Sequence, residues 1–225
     1  MKIFAHRGYS ARFPESTRAA YEGAVFARAD GFECDVRLTR DGEIVCFHDR
    51  TLKRNAGIKK AVSRSTIKEL RSLVNAITLD ELLDIAISAK KDLLIETKHP
   101  VLTGRRIEQR VVSLLEKRRQ EITDSEIRVS IMSFSALAVH RLSRIYPHVI
   151  KVIKYSIAAR SSRQKSIAID VKLLRKKKVD VRKIRAEEIF VWTVNSSEDL
   201  KLVRDKKIDG VITDKPHYAR KKLIS

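Results

Sequence analysis

At 225 residues, 43% of them hydrophobic, the chain is long enough for one sizeable core and too apolar for a disordered protein. Met1-Lys2-Ile3-Phe4 runs straight into the first motif, and no apolar run approaches the ~20 residues of a membrane helix, so the expectation is a cytoplasmic protein with neither signal peptide nor span. The surplus of 48 Lys and Arg over 28 Asp and Glu, +20 in all, comes without an aromatic-interleaved basic stripe, zinc-finger spacing or RNA-recognition motif; it predicts a solvated basic surface, no specific nucleic-acid partner, and weak anionic-membrane association at most.

Strand-like and helix-like runs alternate, the pattern of a parallel sheet with crossover helices. The first strand, 2–5 (KIFA), leads into His6-Arg7-Gly8, and Pro14-Glu15-Ser16-Thr17 precedes a helix starting near Ser16. Runs 32–38 (FECDVRL) and 44–48 (IVCFH) flank Asp41-Gly42, a hairpin-type turn. Their two cysteines, Cys34 and Cys46, read as paired buried thiols rather than a disulfide. The segment 50–76 is basic and poor in strand signal, and reads as an insertion over one end of the domain. Thr78-Leu79-Asp80-Glu81 is a capping box opening a helix over 79–90.

Further strands are expected at 93–97, 127–132, 149–155, 189–194 and 209–213, with a short extra one at 167–171. Thr103 is the expected cap of a helix over 104–119, Ser135 of one over 136–145, and Ser196 of another. No glycine fingerprint follows the first strand, which disfavours an open doubly wound sheet. About eight strands with intervening helices predict an α/β fold, a single TIM-type (β/α)8 barrel domain over 1–225 with a small insertion at about 50–76, after the His-Asp strand.

Residues two apart on a strand share a face, so Glu33 and Asp35 point one way and Cys34 the other; Glu96 and Lys98 pair likewise. Both pairs sit near the C-terminal end of a strand, where barrel active sites gather. Carboxylates on one face repel each other unless a hard divalent cation lies between them, and Glu96 is a natural third oxygen ligand. Structural ion pairs are the alternative reading of Glu33 and Asp35. A tight Asp41-Gly42 turn would set Asp35 opposite His48, making His48 a general acid/base candidate. At the first strand's end His6 reaches the same site, Arg7 offers a bidentate fork for phosphate, and Gly8 lets backbone approach a ligand. Glu15 is placed to hold Arg7 or a metal-bound water. His99 alternates to the opposite face and is left out of the site.

The ordered set HRG, PES, ExDV, HD and ExK, with Val191-Trp192-Thr193-Val194-Asn195 and Asp209-Gly210-Val211-Ile212-Thr213-Asp214, resembles the glycerophosphodiester phosphodiesterase family from Lys2 to about Pro216. The resemblance implies a TIM-type barrel, Glu33, Asp35 and Glu96 as ligands of Ca2+ or Mg2+, and His6 and His48 as the general acid/base pair. It implies Arg7 and Lys98 as phosphate ligands and Trp192 as an aromatic wall of the substrate groove, although the apolar run 189–194 also suits a core tryptophan. The implied activity is metal-dependent hydrolysis of a small glycerophosphodiester to glycerol 3-phosphate and an alcohol. Two departures stand out: Ser16 where the family usually has Asn, and a more basic stretch at 50–57.

Two rival functions remain. A phospholipase acting on phosphoinositide or sphingolipid head groups would need an apolar rim, and 50–76 carries no Trp/Phe cluster. A non-catalytic polyanion-binding protein leaves two histidines and three carboxylates at strand ends unexplained. The pattern sets neither the division of labour between the histidines nor an oligomeric state.

Overall fold

The computed structural model describes residues 1–99 and 105–224. Among these residues the strands are β1 (Lys2–His6), β2 (Gly31–Leu38), β3 (Ile44–Cys46), β4 (Asp92–Thr97), β5 (Val129–Ser133), β6 (Val149–Ile153), β7 (Ser166–Asp170), β8 (Glu188–Trp192) and β9 (Gly210–Thr213). All but β3 are parallel, in the order β1-β9-β8-β7-β6-β5-β4-β2, and direct β1–β2 pairing closes the ring. Helices cross between successive staves, so the fold is a TIM-type barrel.

Two expectations about strands change. The run at 44–48 is no stave: β3 pairs antiparallel with β2 alone. The short run at 167–171 instead supplies a full stave, β7, pairing with β6 and β8. The hairpin register also differs from a tight Asp-Gly turn. Val36 lies opposite Cys46 and Leu38 opposite Ile44, and the Phe47 amide donates to the Asp35 carbonyl at 2.8 Å. The loop holds three residues, Arg40-Asp41-Gly42, closed by the Thr39 amide donating to the Glu43 carbonyl at 3.0 Å. Gly42 takes the left-handed position at φ +84°. Asp35 therefore faces Phe47, and His48 lies one residue further on.

Strand alternation sorts side chains between the barrel interior and the helix layer. Phe4, Leu94, Met132, Ile150, Val152, Ala168, Phe190 and Ile212 fill the interior. Phe4 and Phe190 meet edge to face with centroids 5.7 Å apart. Glycine is required beside them: a Cβ on Gly31 would lie 2.6 Å from the Phe4 ring, and one on Gly210 2.5 Å from Phe190. The outward faces, with Cys34 and Cys46 as free buried thiols, pack under the helices.

Helix starts follow local capping chemistry. Thr17, rather than Ser16, caps Arg18–Phe26 through the Ala20 amide. Thr78 and Glu81 complete the capping box of Leu79–Ser88, Ser135 caps Ala136–Leu142, and Ser196 caps Ser197–Asp205. Thr103, the expected cap of the next crossover, lies outside the described residues; the helix there runs Arg106–Lys117. After β3 the chain forms a helix at Lys53–Ala56, a 3-10 turn at Val62–Arg64 and a capped helix at Ile67–Val74. Leu52, Val62 and Leu70 seat this segment on Val45 and Phe47. No helix among the described residues is long and apolar enough to cross a membrane.

Candidate active site

The interior positions that are apolar low in the barrel become charged at the C-terminal ends of β1, β2, β4 and β9. Glu33 and Asp35 come from β2 and Glu96 from β4, whose register sets Asp35 beside Glu96. All three are buried, and one carboxylate oxygen from each lies within 4.8 Å of the others. Burial pushes the Glu33 carboxyl well above the usual range, and repulsion from Asp35 and Glu96 adds to this. Glu96 is pushed up to about 7 by burial, with Asp35 contributing in the same direction. Burial would raise Asp35 too, but Lys98 and Arg7 outweigh it and hold Asp35 below the ordinary value.

These cations contact the cluster directly. Lys98 Nζ lies 2.7 Å from Asp35 Oδ1 and 2.5 Å from Glu96 Oε1, and Arg7 Nε lies 2.8 Å from Asp35 Oδ2. Lys98 donates a hydrogen bond to Glu96, but both Asp35 oxygens lack an aligned hydrogen-bond partner among the described residues, so the Asp35 contacts are charge pairs. Buried hard oxygens of which two make no directed bond form a cluster that could hold a metal ion. The residues present fit such an ion.

Two histidines lie near this cluster, and each is held by an aspartate. His6 Nδ1 lies 2.6 Å from Asp214 Oδ1, leaving Nε2 directed at the cluster, 3.9 Å from Glu33 Oε2. Asp214 also accepts from Ser10 Oγ at 3.0 Å and from Asn195 Nδ2. Burial would raise the Asp214 carboxyl, but the hydrogen bond and charge of His6, with Asn195 and Ser10, bring it down to about 2. His48 Nδ1 lies 2.6 Å from Asp49 Oδ1, and Arg54 Nε donates to Asp49 Oδ2 at 2.7 Å. Arg54 and, to a smaller degree, His48 hold Asp49 at about 2. Burial lowers the His48 imidazole below its ordinary value despite the pull of Asp35.

His48 reaches the site although the hairpin does not set it opposite Asp35. Arg37, on the same face of β2 as Asp35, donates from Nε and Nη2 to the His48 carbonyl at 3.0 and 2.8 Å. Arg37 thus fixes the backbone just beyond β3. Glu15 holds Arg7, at 3.2 Å, and also Arg54, with Oε1 accepting from Nη2 at 2.6 Å. It thereby ties the first loop to the insertion.

Arg7 itself is left-handed at φ 56°, its amide donating to the Glu33 carbonyl at 2.9 Å. Gly8 has a packing role. At φ +82°, a Cβ there would lie 2.6 Å from the Ala20 backbone, so the glycine is needed for close approach of the first helix. Ser16 is also left-handed at φ 60°, buried, with its Oγ unpartnered among the described residues.

Trp192 is half-buried at the end of β8, donating from Nε1 to the Ala168 carbonyl at 3.3 Å, with Phe134 edge-on at 5.4 Å. It lies at the mouth rather than in the sealed core. His99 pairs away from the site with Glu108, 3.2 Å from its Oε1. The positioning residues Asp214, Asn195, Ser10, Asp49, Arg54 and Arg37 carried no assigned role in the sequence. Asp214 and Asn195 were nonetheless visible as polar residues ending apolar strands.

Comparison with known proteins places this geometry in context. The model of the "Glycerophosphoryl diester phosphodiesterase family" matches residues 6–218. A Mycobacterium tuberculosis protein named "Probable glycerophosphodiester phosphodiesterase 1" is 32% identical, covering 95% of this chain and 89% of its own. The crystal structure of a glycerophosphodiester phosphodiesterase from Thermotoga maritima superposes with a TM-score of 0.79 at 28% identity, covering 98% of this chain and 97% of its own. An Oleispira antarctica phosphodiesterase, solved with its product sn-glycerol-3-phosphate, shares the fold at TM-score 0.74 and 18% identity, covering 100% and 97%.

Proposed function

Because the chain belongs to the glycerophosphoryl diester phosphodiesterase family, and so is a phosphoric diester hydrolase, we propose that it splits a glycerophosphodiester into glycerol 3-phosphate and an alcohol at this barrel mouth. The observation that carries the reading is the buried Glu33-Asp35-Glu96 cluster flanked by two aspartate-anchored histidines. Glu33, Asp35 and Glu96 would hold a divalent cation, Ca2+ or Mg2+, which when bound draws charge from the phosphate oxygens. Arg7 and Lys98 stand beside it and neutralise the charge that grows on those oxygens.

Each histidine has its Nδ1 committed to a carboxylate, so the neutral ring carries its proton there and offers Nε2 as acceptor. One Nε2 takes the proton of the nucleophile, and the other, protonated, gives its proton to the leaving alkoxide. The nucleophile is either water, which gives glycerol 3-phosphate directly, or the substrate's own glycerol 2-hydroxyl, which expels the alcohol to form a cyclic phosphate that water then opens to glycerol 3-phosphate. Trp192, half-buried at the end of β8, would form an apolar wall of the mouth for the leaving alcohol.

The test is glycerol 3-phosphate release from glycerophosphocholine, measured with chelator and after Ca2+ or Mg2+ is restored. Loss and recovery of turnover support the reading. Chelator-insensitive turnover overturns the metal assignment, and near-normal turnover by His6→Ala or His48→Ala overturns the acid/base pair.

A further inference from the structure

The apolar rim that the insertion lacks is present over β5 and β6. Phe134 follows β5, and Leu137 stands in the first turn of the helix beyond it; Tyr155 follows β6, and Ile157 stands in the first turn of the helix Ser156–Arg160. β5 and β6 are neighbours, Ser133 lying opposite Lys151, so all four residues crown one sector of the mouth. They are 42%, 70%, 72% and 79% exposed, while the same helices bury Ala138, Val139, Leu142 and Ala159. Folding has therefore already covered the apolar side of each helix, and these four project from what remains. Large apolar side chains grouped beside a substrate entrance mark a surface that something covers.

The surrounding charge indicates the occupant. Lys154 immediately precedes Tyr155, and Lys172 opens the helix after β7; both are exposed, with no ion pair among the described residues. With +20 on the chain, a second copy is repelled and an anionic surface attracted. We propose that this rim docks the barrel mouth onto an anionic lipid bilayer. Phe134, Leu137, Tyr155 and Ile157 enter the headgroup region, and Lys154 and Lys172 meet lipid phosphates. The proposal rests on the reading that the mouth admits substrate, and it places the site against the surface where phosphodiesters of lipid origin are released.

Trp192 is the chain's one tryptophan and touches Phe134 in the rim, so its emission reports docking. The protein is titrated with vesicles of phosphatidylcholine, with and without phosphatidylglycerol, and binding is checked by flotation. The expected result is a blue shift and co-flotation with phosphatidylglycerol vesicles only, weakened by added salt. A Leu137→Ser/Ile157→Ser double variant is expected to bind about tenfold more weakly while hydrolysing soluble glycerophosphocholine like the parent.

Absence of vesicle binding by the parent overturns the proposal, as does undiminished binding by the double variant, which would move the contact to the general basic surface. Self-association of the parent that the double variant loses would assign the rim to a second copy instead. Vesicle binding is read without substrate; a parent that binds vesicles but turns over no glycerophosphodiester would sink the function proposed above and leave the docking surface standing.

Discussion

His6 Nδ1 and Asp214 Oδ1 meet at 2.6 Å although the residues are 208 positions apart. The pairing of β1 with β9 brings them together, and Ser10 and Asn195 hold the carboxylate in place. Asp214→Asn keeps the shape but deprives the His6 ring of a charged acceptor. We expect kcat to fall at least ~10-fold with KM little changed, because a general acid/base worth about 10²–10⁴-fold would be left in the wrong tautomer or orientation. Steady-state kinetics on glycerophosphocholine decide it, and an unaltered kcat refutes the positioning role.

Acid stability follows from the same carboxylate. Asp214 sits at about 2 in the folded chain, below the ordinary 3.8, so its contribution is fully present above pH ~4 and is lost as pH falls through ~2. After discounting for its partial exposure, the loss amounts to about 1–2 kcal/mol. Urea unfolding of wild type and Asp214→Asn across this window should show the shallower pH dependence in the variant; parallel curves would contradict it.

Asp49 acts on His48 in the opposite sense to burial. Burial lowers the imidazole and the Asp49 hydrogen bond raises it, so Asp49→Asn should lower it further. The limb of the kcat/KM profile governed by His48 is expected to move to lower pH, with turnover reduced. A profile superimposable on wild type would separate His48 from the rate.

Glu33 illustrates a site held against stability. Its carboxyl is buried beside Asp35 and Glu96 and pushed well above the ordinary range, so above that range its charge opposes folding. Glu33→Gln should abolish turnover yet raise Tm in the presence of chelator, by ~2–4 °C for ~1 kcal/mol in a chain of this size. A lower Tm in chelator would show that Arg7 and Lys98 already balance the cluster.

Ser16 occupies a left-handed position at φ 60°, which asparagine adopts more readily than serine, and its buried Oγ lacks a partner among the described residues. Ser16→Asn is expected to stabilise the chain by about 0.5–1 kcal/mol without altering kcat. Calorimetry gives the answer, and a destabilised variant would mean that the pocket excludes the larger amide.

The strands as strands, the capping residues Thr78, Ser135 and Ser196, and the grouping of Glu33 with Asp35 and of Glu96 with Lys98 were legible in the sequence. Each depends on neighbours within a few positions, through period-two alternation or a single helical turn. The clustering of the three carboxylates was inferable because both strands end at the same barrel face.

Register and long-range partners were not legible. Whether Asp41-Gly42 closed a two- or three-residue loop shifted His48 past Asp35, and one residue of slip exchanges every facing pair. Nothing local distinguishes 44–48, an added hairpin strand, from 167–171, a stave; the hydrogen-bond partners across the ring decide that. Gly8 is similar: the sequence determined that a flexible residue follows Arg7, and only the packed helix at Ala20 determined why. Strand alternation and strand ends were enough to group Glu33, Asp35, Glu96, Lys98 and His6 at the barrel's mouth. The closed barrel decided that Asp214 holds His6 and that Arg37 and Arg54 brace His48 and Asp49, because these contacts join residues that no strand or helix period connects.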